Sequence, residues 1–185
     1  MPIITVVTSN KEKLAELTRL MPTSLKFTHQ ALDLPEIQSN DLYEIIKDKA
    51  HRAYQAIGGP VIVEDVAAGL NKFGGLPGPF IKFFEESLGQ EALYTLAGET
   101  AAATVTCTMC YYDGLLEVIV QGIVAGTVVA PRNTSGFGFD IVFMPNGSNK
   151  TFAEMEPAEK DAVSHRSLAV QKLALKLEQL SKQMT

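Results

Sequence analysis

The sequence predicts an α/β fold built on a mixed β-sheet. Three observations carry this: short β-branched runs alternate with amphipathic helical patterns in the first half, a long hairpin pattern follows, and no internal repeat or low-complexity linker interrupts them. Ile3-Ile4-Thr5-Val6-Val7 is a buried strand by its β-branched run. Thr8-Ser9-Asn10 is rich in capping side chains, and Leu14, Leu17 and Met21 then recur at helical spacing. Leu25 to Thr28 reads as a second strand and Asp33-Leu34-Pro35-Glu36 as a loop. Asp41 caps a helix whose apolar stripe includes Ile45, Ile46, Ala50, Ala53 and Ile57, ended by Gly58-Gly59-Pro60. Val61-Ile62-Val63 is a strand read as ending in Glu64-Asp65.

Gly74-Gly75-Leu76-Pro77-Gly78-Pro79 is a stiff, tight loop, and Phe80 to Leu88 and Glu91 to Leu96 are helical. Thr104 to Tyr112 and Leu115 to Val129 form a hairpin around Asp113-Gly114. Phe139 to Phe143 is a short strand, Pro157 occupies the first position of a helix, and a final helix begins at Ser164.

The 185 residues fit one domain, or one domain split into two lobes. With 46% hydrophobic and 20% charged residues, a full core can be buried. The net charge of −5 argues against nucleic acid and anionic membrane as partners, because both rely on a basic face. A small polyanion remains open, since a few lysines in one cleft suffice. The Pro2 to Val7 run is too short for a signal peptide, and no stretch is long enough to span a bilayer. With two cysteines and no disulfide framework, the expected location is cytoplasmic.

Four segments combine polar side chains with the ends of elements. Thr8, Ser9, Asn10 and Lys13 lie where a strand turns into a helix, aiming free N–H groups and the positive helix end at one point. No glycine is present there, so this is not a Walker loop, and ordinary capping with solvated lysines reads the same residues. Glu36, Glu64 and Asp65 are hard oxygen donors of the kind Mg²⁺ takes, or else solvated loop acids. Gly75 to Lys82 fixes an unusual backbone path, which a rigid surface turn also explains. From Ser135 to Arg166, Phe137-Gly138-Phe139-Asp140 supplies rings and a carboxylate, and Lys160, Ser164, His165 and Arg166 supply donors. Such rings stack on bases or simply pack in the core. Cys107-Thr108-Met109-Cys110 lies within a strand, where residues three apart face opposite ways. It is read as two structural thiols and not as a zinc or redox site.

Taken in order, these segments resemble the inosine triphosphate pyrophosphatase family. The most specific match is Gly74-Gly75-Leu76-Pro77-Gly78-Pro79-Phe80-Ile81-Lys82, with Thr151-Phe152-Ala153-Glu154-Met155, Glu159-Lys160 and Ala162-Val163-Ser164-His165-Arg166. Thr8-Ser9-Asn10 with Lys13, Leu34-Pro35-Glu36, Val63-Glu64-Asp65 and Val129-Ala130-Pro131-Arg132 also match, so the likeness covers nearly the whole chain.

The resemblance implies a single nucleotide pyrophosphatase domain over residues 1–185. It has a two-lobed fold around a long mixed sheet with flanking helices, an active site in the cleft between lobes, and homodimeric assembly. It implies hydrolysis of ITP, dITP and XTP to the monophosphate and pyrophosphate. Thr8, Ser9, Asn10, Lys13, Lys49 and Lys82 would handle triphosphate and sugar, with Lys13 and Asp65 catalytic. Glu36 and Asp65 would hold one or more Mg²⁺ ions, and Asp65 would also be the general base. Phe137, Gly138, Phe139, Asp140, Lys160, His165 and Arg166 would form the base pocket. A donor-lined pocket favours the 6-carbonyl of hypoxanthine and xanthine over the 6-amine of adenine.

The chain departs from the family pattern in two places. Val66 stands where the family carries Ser or Thr next to metal and phosphate, and Phe139 stands where a Trp is frequent. Two alternatives follow: a related pyrophosphatase with shifted base preference, and a catalytically weakened nucleotide-binding protein.

Overall fold

A computed structural model describes residues 3–133 and 136–183. Pro2 and Ser135, which open two of the segments read above, lie outside the described residues. The strands are β1 (Ile4–Val7), β2 (Phe27–Gln30), β3 (Val61–Leu70), β4 (Pro77–Gly78), β5 (Ala101–Tyr112), β6 (Glu117–Val128) and β7 (Phe143–Pro145). The helices are α1 (Lys11–Leu20), α2 (Leu42–Ile57), α3 (Ile81–Leu88), α4 (Ala92–Ala97), α5 (Pro157–Val163) and α6 (His165–Gln183). The strands join in one mixed sheet of order β2-β1-β3-β5-β6-β7, with β4 paired to β3. β1 is parallel to both β2 and β3, whereas β7 runs antiparallel to β6. Among the described residues no helix is long and apolar enough to cross a membrane.

The local rules account for most element ends. Asn10 caps α1 by accepting from the Lys13 N–H at 2.9 Å, and Asp41 caps α2 by accepting from the Tyr43 N–H at 2.8 Å. Gly58 ends α2 at φ 74°, the left-handed conformation that only glycine adopts without a Cβ penalty. Asp113 closes the β5–β6 turn by accepting from Leu115 and Leu116.

The structure corrects two element readings. β3 does not stop at the acidic pair but continues to Leu70, so Glu64 and Asp65 sit in mid-strand. Pro77–Gly78 pairs with Ala68 and Gly69 and so prolongs the ladder. The Phe139 region is a 3₁₀ turn, Gly138–Ile141, and the strand begins only at Phe143. The aromatic-rich pattern suits a strand, yet Gly138 at φ 57° turns the chain, and the N–H groups of Asp140 and Val142 bond back to Phe137 O and Phe139 O at 3.2 and 3.0 Å.

The chain divides into two compact units, one within residues 1–65, 107–122 and 166–185, the other within 66–106 and 123–165. In the first, Val7, Val61, Val63 and Cys110 meet Ile46, Ala50 and Ala53 from the inner stripe of α2. Each large apolar side chain so buried contributes about 1.5–3 kcal/mol. In the second, Leu70, Val105, Val128 and Phe143 pack with Ile81, Leu93 and Phe152.

Candidate active site

In the first unit, four backbone N–H groups of the turn from β1 into α1 have protein acceptors. Thr8 N–H donates to Gln30 O at 3.3 Å, Asn10 N–H to Thr8 Oγ1 at 3.2 Å, Lys13 N–H to Asn10 Oδ1 at 2.9 Å, and Leu14 N–H to Asn10 O at 3.1 Å. Among the described residues no protein acceptor takes the N–H of Ser9, Lys11 or Glu12. These donors, at the positive end of a ten-residue helix, present an electropositive face.

Lys13 reaches from the first turn of α1 to Glu64, with Nζ 3.3 Å from Oε1. Glu64 is buried and also takes a bidentate pair from Arg166, Nε to Oε2 at 2.8 Å and Nη2 to Oε1 at 3.0 Å. Arg166 Nη1 in turn donates to Glu16, which projects from α1. Buried Glu16, Glu64 and Arg166 are thus linked in one chain of ion pairs, with half-buried Lys13 at its edge. Burial alone would push the Glu64 carboxyl up, but Arg166 and Lys13 overcome it and hold it far below the ordinary carboxylate range. Burial likewise opposes the charge on Arg166, and its carboxylate partners outweigh it and raise its pKa.

Asp65, the next residue of the same strand, is only half-buried. Burial raises its pKa; Lys13 and Lys49 oppose that rise, while the charges of Glu36 and Glu64 add to it. Glu36 and Lys49 are ion-paired to each other. Two of the sequence-selected carboxylates, Glu36 and Asp65, therefore share one electrostatic neighbourhood with two of the selected lysines, although 29 positions separate them in the chain.

In the second unit, Asp140 takes the Lys160 ammonium at 2.5 Å, both side chains being buried. Lys160 also lies 5.6 Å from the Phe152 ring, a cation–π distance. His165 is buried, stacked on Phe152 with centroids 6.0 Å apart and 5.8 Å from Phe139. Phe139 itself is 7% exposed and meets Phe143 edge-on at 6.2 Å. Phe137 and Gly138 are half-buried, so Phe137 is the accessible ring of the pair. Val66 packs against the apolar cluster of this unit. Lys82 is exposed on α3, with Glu86 3.9 Å away.

Sequence reasoning missed Glu16 and the structural role of Glu64. Glu16 sits in the helical pattern of α1 with no mark of its partner, because Arg166 lies 150 residues away. The cysteines face opposite ways, Cys107 towards Glu64 with Sγ 3.6 Å from Oε2, and Cys110 into the α2 cluster. Burial, with Glu64 beside it, pushes the Cys107 thiol well up. Burial and Glu117 push Cys110 to about 12. Both shifts favour the protonated thiol over the reactive thiolate.

Fold and site together define a mixed-sheet α/β protein in which mid-strand Glu64 is ion-paired with Lys13 and the charges of Lys13, Lys49 and Glu36 act on its neighbour Asp65. The Ham1 family model matches residues 4–176, and the chain belongs to that family. It is 44% identical over 172 residues to an inosine triphosphate pyrophosphatase of Tuber melanosporum, covering 90% of this chain and 92% of the relative. It is 40% identical over 174 residues to that of Schizosaccharomyces pombe, covering 92% of each. Among solved structures, a Ham1 protein from Coxiella burnetii superposes with a TM-score of 0.80 at 24% identity, covering 96% of this chain and all of that one, which shows the fold. A Mycobacterium abscessus structure described as a nucleoside-triphosphatase and dITP/XTP pyrophosphatase superposes with a TM-score of 0.70 at 26% identity, covering 93% and 98%.

Proposed function

We infer that this protein hydrolyses the non-standard purine nucleoside triphosphates ITP, dITP and XTP to the monophosphate and pyrophosphate, clearing them from the nucleotide pool. The observation that carries this reading is the gathering of Glu64 and Asp65 in mid-strand, Lys13 ion-paired to Glu64, and Lys49 ion-paired to Glu36, with the charges of Lys13, Lys49 and Glu36 all acting on Asp65. The family relatives, named as inosine triphosphate pyrophosphatases, support it.

The residues divide the work as follows. Lys13, Lys49 and the N–H groups of Ser9, Lys11 and Glu12 neutralise phosphate oxygens, a task that phosphoryl transfer leaves largely to positioning and charge. Asp65 accepts the proton of the attacking water. The water oxygen bonds to the α-phosphorus, and the bond to the bridging oxygen breaks, its electron pair leaving on pyrophosphate.

Glu36 and Asp65 fit Mg²⁺. They are two hard oxygen donors whose charges act on each other, the donor type that a hard ion shared with substrate phosphate takes. When bound, the ion supplies charge neutralisation and makes a coordinated water more acidic. At the base end, Phe137 stacks on the purine while Gly138 leaves room for it. Lys160 and His165 favour the 6-carbonyl, and Asp140 orients Lys160. Arg166, assigned to the base pocket by the resemblance, is held by Glu64 and Glu16.

Family resemblance also supports a cytoplasmic homodimer, which light scattering and cell fractionation test. The decisive assay is pyrophosphate release from ITP, XTP, dITP, GTP and ATP, each with and without Mg²⁺. Release from ITP and XTP but not ATP, dependent on Mg²⁺, is expected. Turnover of ATP equal to ITP overturns the base assignment, and no turnover of any overturns the enzyme.

A further inference from the structure

On the exposed strand β2, His29 does something its sequence position does not announce. Its Nε2 lies 2.8 Å from the carbonyl oxygen of Thr8, 21 residues earlier. A carbonyl can only accept, so Nε2 carries the proton and donates it. β1 and β2 pair in parallel as far as Val7 opposite Gln30, and Thr8 N–H still bonds Gln30 O at 3.3 Å. Beyond that point the chain leaves the sheet to enter α1. The His29 ring therefore extends the hold of β2 by one carbonyl, to the residue where the turn begins.

That carbonyl fixes more than itself. The Thr8–Ser9 peptide is planar, and the only cis bond among the described residues is Leu76–Pro77. In a trans peptide the C=O and the following N–H point in opposite directions. Pinning the Thr8 carbonyl onto His29 thus aims the Ser9 N–H away from β2. Ser9 N–H is one of the three donors that no protein acceptor takes. The Thr8 hydroxyl is engaged by Asn10 N–H at 3.2 Å and Asn10 by Lys13 N–H at 2.9 Å, so the peptide His29 holds is the first link of the turn that sets α1 and Lys13.

We propose that His29 is a positioning residue for the anion-binding turn: its Nε2–H locks the Thr8 carbonyl so that the Ser9 N–H is preset towards the phosphates of the substrate. The inference rests on the reading of this turn as the triphosphate subsite. It concerns grip on phosphate and leaves the proton-accepting step to Asp65. His29 lies on the surface, so replacing it leaves both apolar cores intact.

The test compares His29→Ala, His29→Gln and His29→Asn with the parent protein. Glutamine places its amide Nε2 the same number of bonds from Cα as the imidazole Nε2, whereas asparagine reaches only as far as Nδ1. Binding of inorganic tripolyphosphate is measured by calorimetry, and kcat and KM for ITP by pyrophosphate release. His29→Ala and His29→Asn weaken tripolyphosphate binding and raise KM by about three- to tenfold, the range one net hydrogen bond commands, with kcat within about twofold. His29→Gln restores both. Equal tripolyphosphate affinity in all four proteins, no binding in the parent, or equal weakening in the Gln and Ala variants overturns the proposal. If the parent binds tripolyphosphate with the expected pattern of variants yet releases no pyrophosphate from ITP, the positioning role stands and the enzymatic reading fails.

Discussion

Glu64 and Arg166, 102 positions apart in the chain, meet in a buried bidentate pair with contacts of 2.8 and 3.0 Å. Taking two ions out of water costs several kcal/mol each, and only close geometry with further partners offsets it. Here Lys13 adds to Glu64, and Glu16 adds to Arg166. Removing one member leaves a buried charge uncompensated. Glu64→Gln is expected to lose roughly 3–5 kcal/mol of stability in urea denaturation. The pH dependence has a fixed sign. The folded-state pKa of Glu64 lies below its unfolded value, so its contribution is present above the ordinary glutamate range, about 4.3, and is lost as pH falls below it. The parent should therefore lose stability in acid more steeply than Glu64→Gln. Parallel profiles would show that the pair is not what titrates.

Asp65→Asn keeps the side-chain shape and removes the proton acceptor. Loss of a general base costs about 10²–10⁴-fold in rate, and weaker metal binding adds to it. Asp65 must be ionised to accept the proton, so activity should rise as pH rises through its titration, and burial raises that pKa in the metal-free protein. Rate profiles from pH 4 upward check both points. Near-normal turnover of the variant excludes the role.

The two phenylalanines that the resemblance assigns to the base pocket should separate. Phe137 is half-buried, so Phe137→Ala should raise KM for ITP by the equivalent of about 1–3 kcal/mol with little change in melting temperature. Phe139 is a core ring against Phe143 and His165, so Phe139→Ala should cost about 3–5 kcal/mol of stability. Paired kinetics and thermal melts distinguish them.

Both thiols should be inert in the folded state. Cys107 and Cys110 are fully buried, with pKa values pushed upward. Labelling by a thiol-specific disulfide reagent should follow global unfolding, with both sites released together in urea. Rapid labelling of either in native buffer would contradict the burial.

Gly69 tests the ladder that carries β3 past the acidic pair. A Cβ there would lie 1.7 Å from the carbonyl oxygen of Gly75, a backbone atom that cannot swing aside. Gly69→Ala should lose at least ~3 kcal/mol or fail to accumulate as folded protein, measured by soluble yield and melting temperature.

The sequence by itself determined what local physics determines. Asn10, Asp41 and Gly58 mark helix ends because capping is settled within a few residues. The apolar stripe of α2 and the Asp113 turn are equally short-range, and the order of motifs was enough to place the chain in its family. The opposite facing of Cys107 and Cys110 follows from the two-residue period of a strand. Only the tertiary structure decided which charges are shared. Nothing near Glu16 or Glu64 in the chain points to Arg166, and nothing near His29 points to the Thr8 carbonyl. The same holds for the length of β3: its polar Glu64-Asp65 looks like a strand end, yet Arg166 and Lys13 neutralise Glu64 and β4 continues the ladder beyond it. Phe139, read as part of a strand, is turned into the core by packing against Phe143 and His165. A buried charge or ring is stable only beside its partner, and that partner is supplied by folding, at separations where sequence carries no trace of it.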